Sequence, residues 1–150
     1  MSVLLIASSE PRAGRSLIAA AIAYRIGREG TSVTLARLDG DESAAPDAAA
    51  FAALEGIVTS GKPVSAAGVA KLAGDVVLEA PAGSVKALAD ALKARVIAVG
   101  HAQSAAIDAA TSALAGSIVT RVPAADVAAV GARGGVLAVL PEDRTLAAPS

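Results

Sequence analysis

Short apolar runs alternate with helix-forming segments along the chain, and this alternation constrains the fold more than any other feature. Val3–Ala7 is an unbroken apolar run, as expected for a strand buried on both faces of a parallel sheet. Parallel strands need right-handed crossovers, so the sequence predicts an α/β fold with a mainly parallel sheet and helices on both faces. Strands are predicted at 3–7, 32–38, 75–79, 95–99, 117–121 and 135–140, and helices at 15–29, 46–54, 84–94, 104–114 and 124–130, with a short one at 65–72.

Composition excludes several classes of function. Hydrophobic residues make up 54% of the chain but aromatic residues only 1%, so Ala, Val, Leu and Ile must build the core. Tyr24 and Phe51 are the only aromatics, and the net charge is −1 without a basic block, so neither nucleic acid nor a membrane surface is an expected partner. The chain contains no cysteine, no signal-peptide pattern and no apolar run of membrane-spanning length, and a cytoplasmic location is predicted.

The stretch Ser8–Ser16 connects the first predicted strand to the first predicted helix. The first turn of a helix carries unpaired N–H groups and the positive end of the helix dipole, so anions bind there. The standard phosphate-loop pattern is G-x-x-x-x-G-K-[ST], of which Gly14 and Ser16 fit, while Ser9 replaces the first glycine and Arg15 the lysine. The alternative is an ordinary strand-to-helix turn with Arg15 as a solvated charge. The helix that follows is predicted to bury one face, formed by Leu17, Ile18, Ala21, Ile22 and Ile26.

The carboxyl ends of the predicted strands are the places to search for a ligand site. Glu79 ends the third predicted strand, and with the Ser16 hydroxyl it could hold Mg²⁺, which takes one or two carboxylates together with phosphate oxygens and water. The alternative for Glu79 is a solvated carboxylate or a partner for an arginine. Asp39 and Asp41 are either metal ligands or an acidic turn, and His101 is either near the site or incidental.

The sequence resembles the dethiobiotin synthetase branch of the P-loop nucleoside triphosphatases, and more closely the related N-terminal domain of some phosphate acetyltransferases. The resemblance covers about residues 3–148. Five segments carry it: Ser8–Ser16 against G-T-D-T-G-V-G-K-T, Ala36-Arg37-Leu38 against F-K-P, Glu79–Gly83 against E-G-A-G-G, Thr120–Pro123 against N-R-V-P, and Ala138–Leu146 against G-V-I-P-E-D-x-x-L.

This resemblance implies a three-layer P-loop sandwich that binds ATP with Mg²⁺. The implied catalytic residues are Arg15 and Arg37, and the implied metal ligands are Ser16 and Glu79. Glu142 and Asp143 lie where the family places groups near the base. The implied nucleotide-binding residues are Ser9, Glu10, Arg12, Ala13, Gly14, Arg15, Ser16, Thr120 and Arg121.

Three departures from the family pattern reduce the expected catalytic activity. Arg15 replaces a lysine, Arg12 replaces a glycine, and Thr120 replaces the asparagine that resembles a base-reading group. The leading hypothesis is therefore a regulatory domain that binds a nucleotide or another anionic effector, with weak or absent turnover. The alternatives are an ATP-dependent ligase that activates a carboxylate or carbamate, and a degenerate domain kept as a homodimer. Residues 1–150 are predicted to be one domain, which could equally be the N-terminal part of a longer protein.

Overall fold

The computed structural model describes residues 1–8, 14–83, 85–101 and 113–142. Within these ranges the strands are β1 (Val3–Ala7), β2 (Val33–Arg37), β3 (Val58–Thr59), β4 (Asp75–Glu79), β5 (Arg95–His101), β6 (Leu114–Val122) and β7 (Val136–Pro141). The α-helices are α1 (Arg15–Arg28), α2 (Ala44–Ala52), α3 (Lys86–Leu92) and α4 (Val127–Gly131), and 3₁₀ helices cover Ala67–Lys71 and Ala124–Asp126.

The described strands form one sheet in the order β3-β2-β4-β1-β5-β6-β7, and every pair of neighbours is parallel. β1 lies in the middle, where it pairs with β4 on one side and β5 on the other. From β1 the chain first crosses towards β2 and returns through β4, and it then continues on the other side with β5. The strand order thus reverses at β1, and open parallel sheets bind ligands at the carboxyl edge of such a reversal.

Helices cover both faces of the sheet, as predicted. On one face α1 and α2 pack through Ile18 and Phe51 against sheet residues that include Ile6 and Leu35. On the other face α3 and the 3₁₀ helix at Ala67–Lys71 pack against neighbours of these residues in the strands. Successive strand residues point to opposite faces, so apolar runs such as β1 supply both cores.

The inner face of α1 differs from the prediction. Ile18, Ala19 and Ala23 are buried, and Ile22 and Ile26 pack against the same core. Leu17, however, is 71% exposed, and Ala21 is also exposed. The helix contacts the sheet along one stripe only, and one residue corresponds to a rotation of about 100°, so these two side chains turn away from the sheet.

Two other segments were predicted incompletely. β3 was not predicted, because it is only two residues long and lies in the region 55–74, which has no clear pattern. The helix predicted at 104–114 falls mostly outside the described residues, but Leu114, its last residue, begins β6 instead. The other predicted strands and helices are present, with ends shifted by a few residues. No helix in the described ranges is long and apolar enough to cross a membrane.

Candidate functional site

The carboxyl ends of β1 and β4 are joined to the start of α1 at the middle of the sheet. The Ala80 N–H donates to the Ile6 carbonyl oxygen at 2.9 Å, and the Gly83 N–H donates to the Ser8 carbonyl oxygen at 3.0 Å. These bonds hold the residues after β4 beside the end of β1. Four of the predicted nucleotide-binding residues, Ser9, Glu10, Arg12 and Ala13, lie outside the described residues.

Gly14 forms the entry into α1 with a left-handed backbone, at φ 90° and ψ 17°. Its carbonyl oxygen accepts the N–H of Ile18 at 3.1 Å and so begins the helical hydrogen bonds. A side chain in this conformation is strained, which explains the need for glycine at this position. A Cβ added here would also lie 3.7 Å from Thr120 Cγ2, so β6 packs close to the helix entry.

Ser16 and Glu79 are in direct contact. The Ser16 hydroxyl donates to Glu79 Oε1 at 2.8 Å and to Oε2 at 2.9 Å. Glu79 is only 1% exposed, so it is not a solvated strand-end carboxylate. Burial is the largest influence on this group and raises the pKa of Glu79, although the Ser16 hydrogen bond and the charges of Arg37 and Arg15 act in the opposite direction.

Arg15 is buried beside the same carboxylate. Its residue exposure is 7%, so it is not a solvated first-turn charge. Its Nε lies 3.6 Å from Glu79 Oε1, a distance that permits an ion pair but is long for a hydrogen bond. Within the described part of the chain, Arg15 Nη1 is buried and has no hydrogen-bond partner. A buried donor without a partner is costly, and such an atom in a native structure calls for an explanation.

Arg37 occupies the end of β2 and is completely buried. Its Nε donates to Asp47 Oδ2 at 3.1 Å, and its Nη2 donates to Asp41 Oδ1 at 2.6 Å and to the Ser43 hydroxyl at 3.2 Å. Its Nη1 donates to the Leu38 carbonyl oxygen. All three nitrogens of this guanidinium therefore have partners within the chain. Its Nε is also 3.9 Å from Glu79 Oε1, so both arginines lie near the same oxygen of Glu79.

Two acidic residues after β2, Asp41 and Asp47, form ion pairs with Arg37. Partial burial of Asp41 works against its ionisation, but the hydrogen bonds from Ser43 and the charge of Arg37 together lower its pKa. Asp47, from α2, was not singled out in the sequence, although it makes a direct contact with Arg37. Its distance of ten residues from Arg37 gives no pattern, because the contact depends on how α2 packs. Asp39 accepts a hydrogen bond from the Gly40 N–H, as expected for a turn.

Thr120 and Arg121, two of the predicted nucleotide-binding residues, lie at the end of β6. Thr120 is buried, and its hydroxyl donates to the Gly100 carbonyl oxygen at 3.2 Å. Arg121 is exposed and has a φ of 53°, which is unusual for a residue with a side chain. His101 pairs with Thr120 in the β5–β6 register, so it reaches the same edge of the sheet. Glu142 follows β7, and Asp143 lies outside the described residues.

The arrangement fits a phosphate and a magnesium ion in its chemistry. The start of α1 and Arg15 offer positive charge to an anion. Ser16 and Glu79 supply adjacent hard oxygen atoms, the type of ligand that Mg²⁺ takes. Among the residues that the structure describes, no group of three or more His, Cys, Asp or Glu side chains could hold a metal ion. Mg²⁺ usually adds phosphate oxygens and water to one or two carboxylates.

Taken together, the parallel sheet with its strand order reversed at β1, and the glycine-led helix that follows this strand, define a fold of the P-loop nucleoside triphosphatase class. Solved structures of this class resemble the chain. They include the signal recognition particle receptor FtsY from Elizabethkingia anophelis (17% identity, TM-score 0.58) and the cell division protein FtsY from Thermotoga maritima (20% identity, TM-score 0.56). Chloroplast FtsY from Physcomitrella patens is similar at 21% identity, with a TM-score of 0.54.

The FtsY structures match most of this chain but only about half of their own length. The matches cover 79%, 80% and 79% of this chain in the order given above, but only 50%, 52% and 49% of the FtsY chains, so this chain spans about half the length of those proteins. At such low identity they establish the fold alone. They confirm the P-loop nucleoside triphosphatase fold that the sequence resemblance implies and do not extend to its dethiobiotin synthetase or phosphate acetyltransferase part. No protein-family model matches the chain, and no curated protein matches it.

Proposed function

We propose that this chain is a nucleotide-binding P-loop domain that holds the phosphates of its ligand at the start of α1. The observation that carries the proposal is the buried Nη1 of Arg15, which lacks a partner within the described residues. This donor belongs to the first residue of α1, where helix N–H groups already favour an anion. A phosphate oxygen would satisfy it, and arginine binds phosphates through two parallel hydrogen bonds.

The ligand that we propose is a nucleoside triphosphate, with ATP as the first candidate, in keeping with the five segments that resemble those of dethiobiotin synthetase-like domains. Ser16 and Glu79 would hold the Mg²⁺ that accompanies such a ligand. A bound Mg²⁺ neutralises phosphate charge and orients the phosphates. Thr120, whose hydroxyl already donates to Gly100, offers little selectivity for one base over another.

We propose weak or absent hydrolysis and therefore a regulatory role. Phosphoryl transfer depends almost entirely on positioning and electrostatic stabilisation. Arg15 is a wide planar fork where the family pattern has a compact lysine, and its Nε faces Glu79. The ligase alternative requires Arg37 to hold a substrate carboxylate. The contacts of Arg37 with Asp41, Asp47 and Leu38 engage all of its guanidinium nitrogens. They therefore favour a regulatory nucleotide-binding domain over the ligase.

The test is the thermal unfolding temperature with and without a phosphate ligand. A ligand at 100 times its dissociation constant stabilises the folded state by about 2.7 kcal/mol. For a chain of this size we expect a rise in Tm of about 5–10 °C with millimolar pyrophosphate or Mg-ATP. In Arg15→Ala the rise should largely disappear.

Arg25→Ala is the matched control, because Arg25 also lies on α1 and pairs with a glutamate, Glu29, but is exposed at the far end of the helix. It should show the wild-type rise. If pyrophosphate, Mg-ATP and Mg-GTP all leave Tm of the wild-type protein unchanged, the proposed function is wrong. Phosphate release from Mg-ATP, measured in parallel, would favour the ligase alternative if it proved rapid.

A further inference from the structure

One hydroxyl and two guanidinium groups lie near one carboxylate at the centre of the site. Ser16 donates to both oxygens of Glu79, Arg15 Nε lies 3.6 Å from Oε1, and Arg37 Nε lies 3.9 Å from the same oxygen. Glu79 is almost completely buried, so these protein groups stand in place of the water that would otherwise surround its charge. In the structure described here, the carboxylate is thus engaged by the chain itself.

The two arginines next to Glu79 are held very differently. Arg37 is tied to Leu38, Asp41 and Asp47, and it cannot move without breaking those contacts. Arg15 makes one long ion contact with Glu79, and its Nη1 has no partner within the described ranges. Arg15 is therefore the arginine that can be drawn to another negative charge at low cost.

We infer that Arg15 exchanges Glu79 for the phosphate of a ligand, and that this exchange couples the binding of an anion to the binding of a divalent cation. This inference rests on the proposed function. Without an anion, Arg15 neutralises Glu79 and its positive charge repels a cation from Ser16 and Glu79. With an anion bound, Arg15 turns to the phosphate, and both oxygen ligands become available. The cation therefore binds weakly alone and tightly after the anion.

Thermodynamic linkage makes the coupling reciprocal, because each ligand must change the affinity of the other by the same factor. Coupling between two sites typically amounts to about 5- to 150-fold in affinity. Two variants therefore imitate the two halves of the exchange. Arg15→Gln removes the group that competes with the cation, and Glu79→Gln removes the group that competes with the anion.

The first experiment measures Mn²⁺ binding without any anion, by the loss of the free-ion electron paramagnetic resonance signal at a fixed neutral pH. Arg15→Gln should bind Mn²⁺ at least about fivefold more tightly than the wild-type protein. Arg25→Gln removes the same charge from the exposed end of α1, where Arg25 pairs with Glu29, and should leave the affinity unchanged. Adding Ser16→Ala to Arg15→Gln should remove the gain, because one of the two oxygen ligands is lost.

The second experiment measures pyrophosphate binding by calorimetry in the presence of a chelator, so that no divalent cation takes part. Glu79→Gln should bind pyrophosphate at least about fivefold more tightly than the wild-type protein, because Arg15 no longer has to leave a carboxylate. If Arg15→Gln does not fold, the pyrophosphate affinity of Glu79→Gln tests the coupling by itself.

The outcomes separate the coupling from the function on which it rests. If neither the wild-type protein nor Glu79→Gln binds pyrophosphate, and Mg-ATP and Mg-GTP also leave the Tm of the wild-type protein unchanged, the proposed function fails and the inference fails with it. If Mg-ATP or Mg-GTP raises the Tm but neither protein binds pyrophosphate, the coupling is wrong. If the wild-type protein binds pyrophosphate but Glu79→Gln binds it no better, or Arg15→Gln folds and binds Mn²⁺ no better, the phosphate site stands and the coupling is wrong.

Discussion

Two buried arginines stand at the carboxyl ends of neighbouring parts of the sheet, and their surroundings differ. At the β2 end, Arg37 is surrounded by Leu38, Asp41, Ser43 and Asp47, and each of its nitrogens has a partner. At the β1–α1 junction, Arg15 makes one long ion contact, and one of its nitrogens has no partner within the described residues. A fully paired buried charge holds the fold together, whereas an incompletely paired one is suited to a ligand.

The largest expected effect comes from Arg37→Met. The substitution leaves Asp41 and Asp47 without their positive partner and deprives Glu79 of a neighbouring charge. Removing one partner of a buried ion pair costs about 3–5 kcal/mol, and the partial exposure of both aspartates places the expected loss near 3 kcal/mol. Chemical denaturation measures it. A variant as stable as the wild-type protein would show that Arg37 is not the structural member of the comparison.

Arg15→Met should have a smaller effect on stability and a larger one on binding. Glu79 keeps the Ser16 hydrogen bonds and the nearby Arg37, and the substitution also removes a buried donor without a partner. We therefore expect a loss of about 1 kcal/mol or less in unfolding free energy. Pyrophosphate affinity should fall by about tenfold or more, since the charge-assisted hydrogen bonds to the ligand are lost. A stability loss equal to that of Arg37→Met would remove the distinction between the two arginines.

Asp41 and Glu79 should contribute to the pH dependence of stability with opposite signs. The pKa of Asp41 is lowered from 3.8, so its stabilising contribution is present above that pH and is lost as the pH falls further. The pKa of Glu79 is raised from 4.5, so the folded state favours its protonated form, and this contribution is lost as the pH rises from 4.5 through the raised pKa. The free energy of unfolding, measured as a function of pH, tests both contributions. Asp41→Asn should reduce the loss of stability at low pH, and Glu79→Gln should reduce the loss as the pH rises from 4.5.

The exposed ion pair between Arg25 and Glu29 should have the smallest effect on the free energy of unfolding. Arg25 Nε contacts Glu29 Oε1 at 2.8 Å, a shorter distance than that between Arg15 and Glu79, but both side chains are largely exposed. Water and salt weaken such a pair, so Arg25→Gln should change the unfolding free energy by no more than about 0.5 kcal/mol. A larger loss would mean that short distances decide these energies and that burial does not.

The sheet could be predicted because its strands are apolar on both faces. Runs such as Val3–Ala7 and Asp75–Glu79 are typical of buried parallel strands, and both strands have the predicted bounds. The two residues of β3 were missed because so short a strand has no periodicity. Leu17 was misplaced because an apolar residue next to a buried stripe has the same appearance in sequence as one within it.

The site was predictable only in part. Residues after strands must meet at one edge of a parallel sheet, and the pairing of Ser16 with Glu79 follows from that rule. The role of Arg37 could not be foreseen, because it depends on Asp47, which α2 brings from a distance of ten residues. Likewise, the burial of Arg15 against Glu79 depends on side-chain packing, which a loop pattern does not specify.

The central position of β1 also has a consequence for how the chain is made. Its partners are β4 and β5, and Val3 pairs with Val76, about 70 residues further along the chain. At a synthesis rate of about 5–20 residues per second, β1 waits about 4–14 s after its synthesis for its first sheet partner. During that interval the apolar β1 segment has no strand beside it. Chaperone binding to Val3–Ala7 in the nascent chain should therefore end once Asp75–Glu79 has emerged.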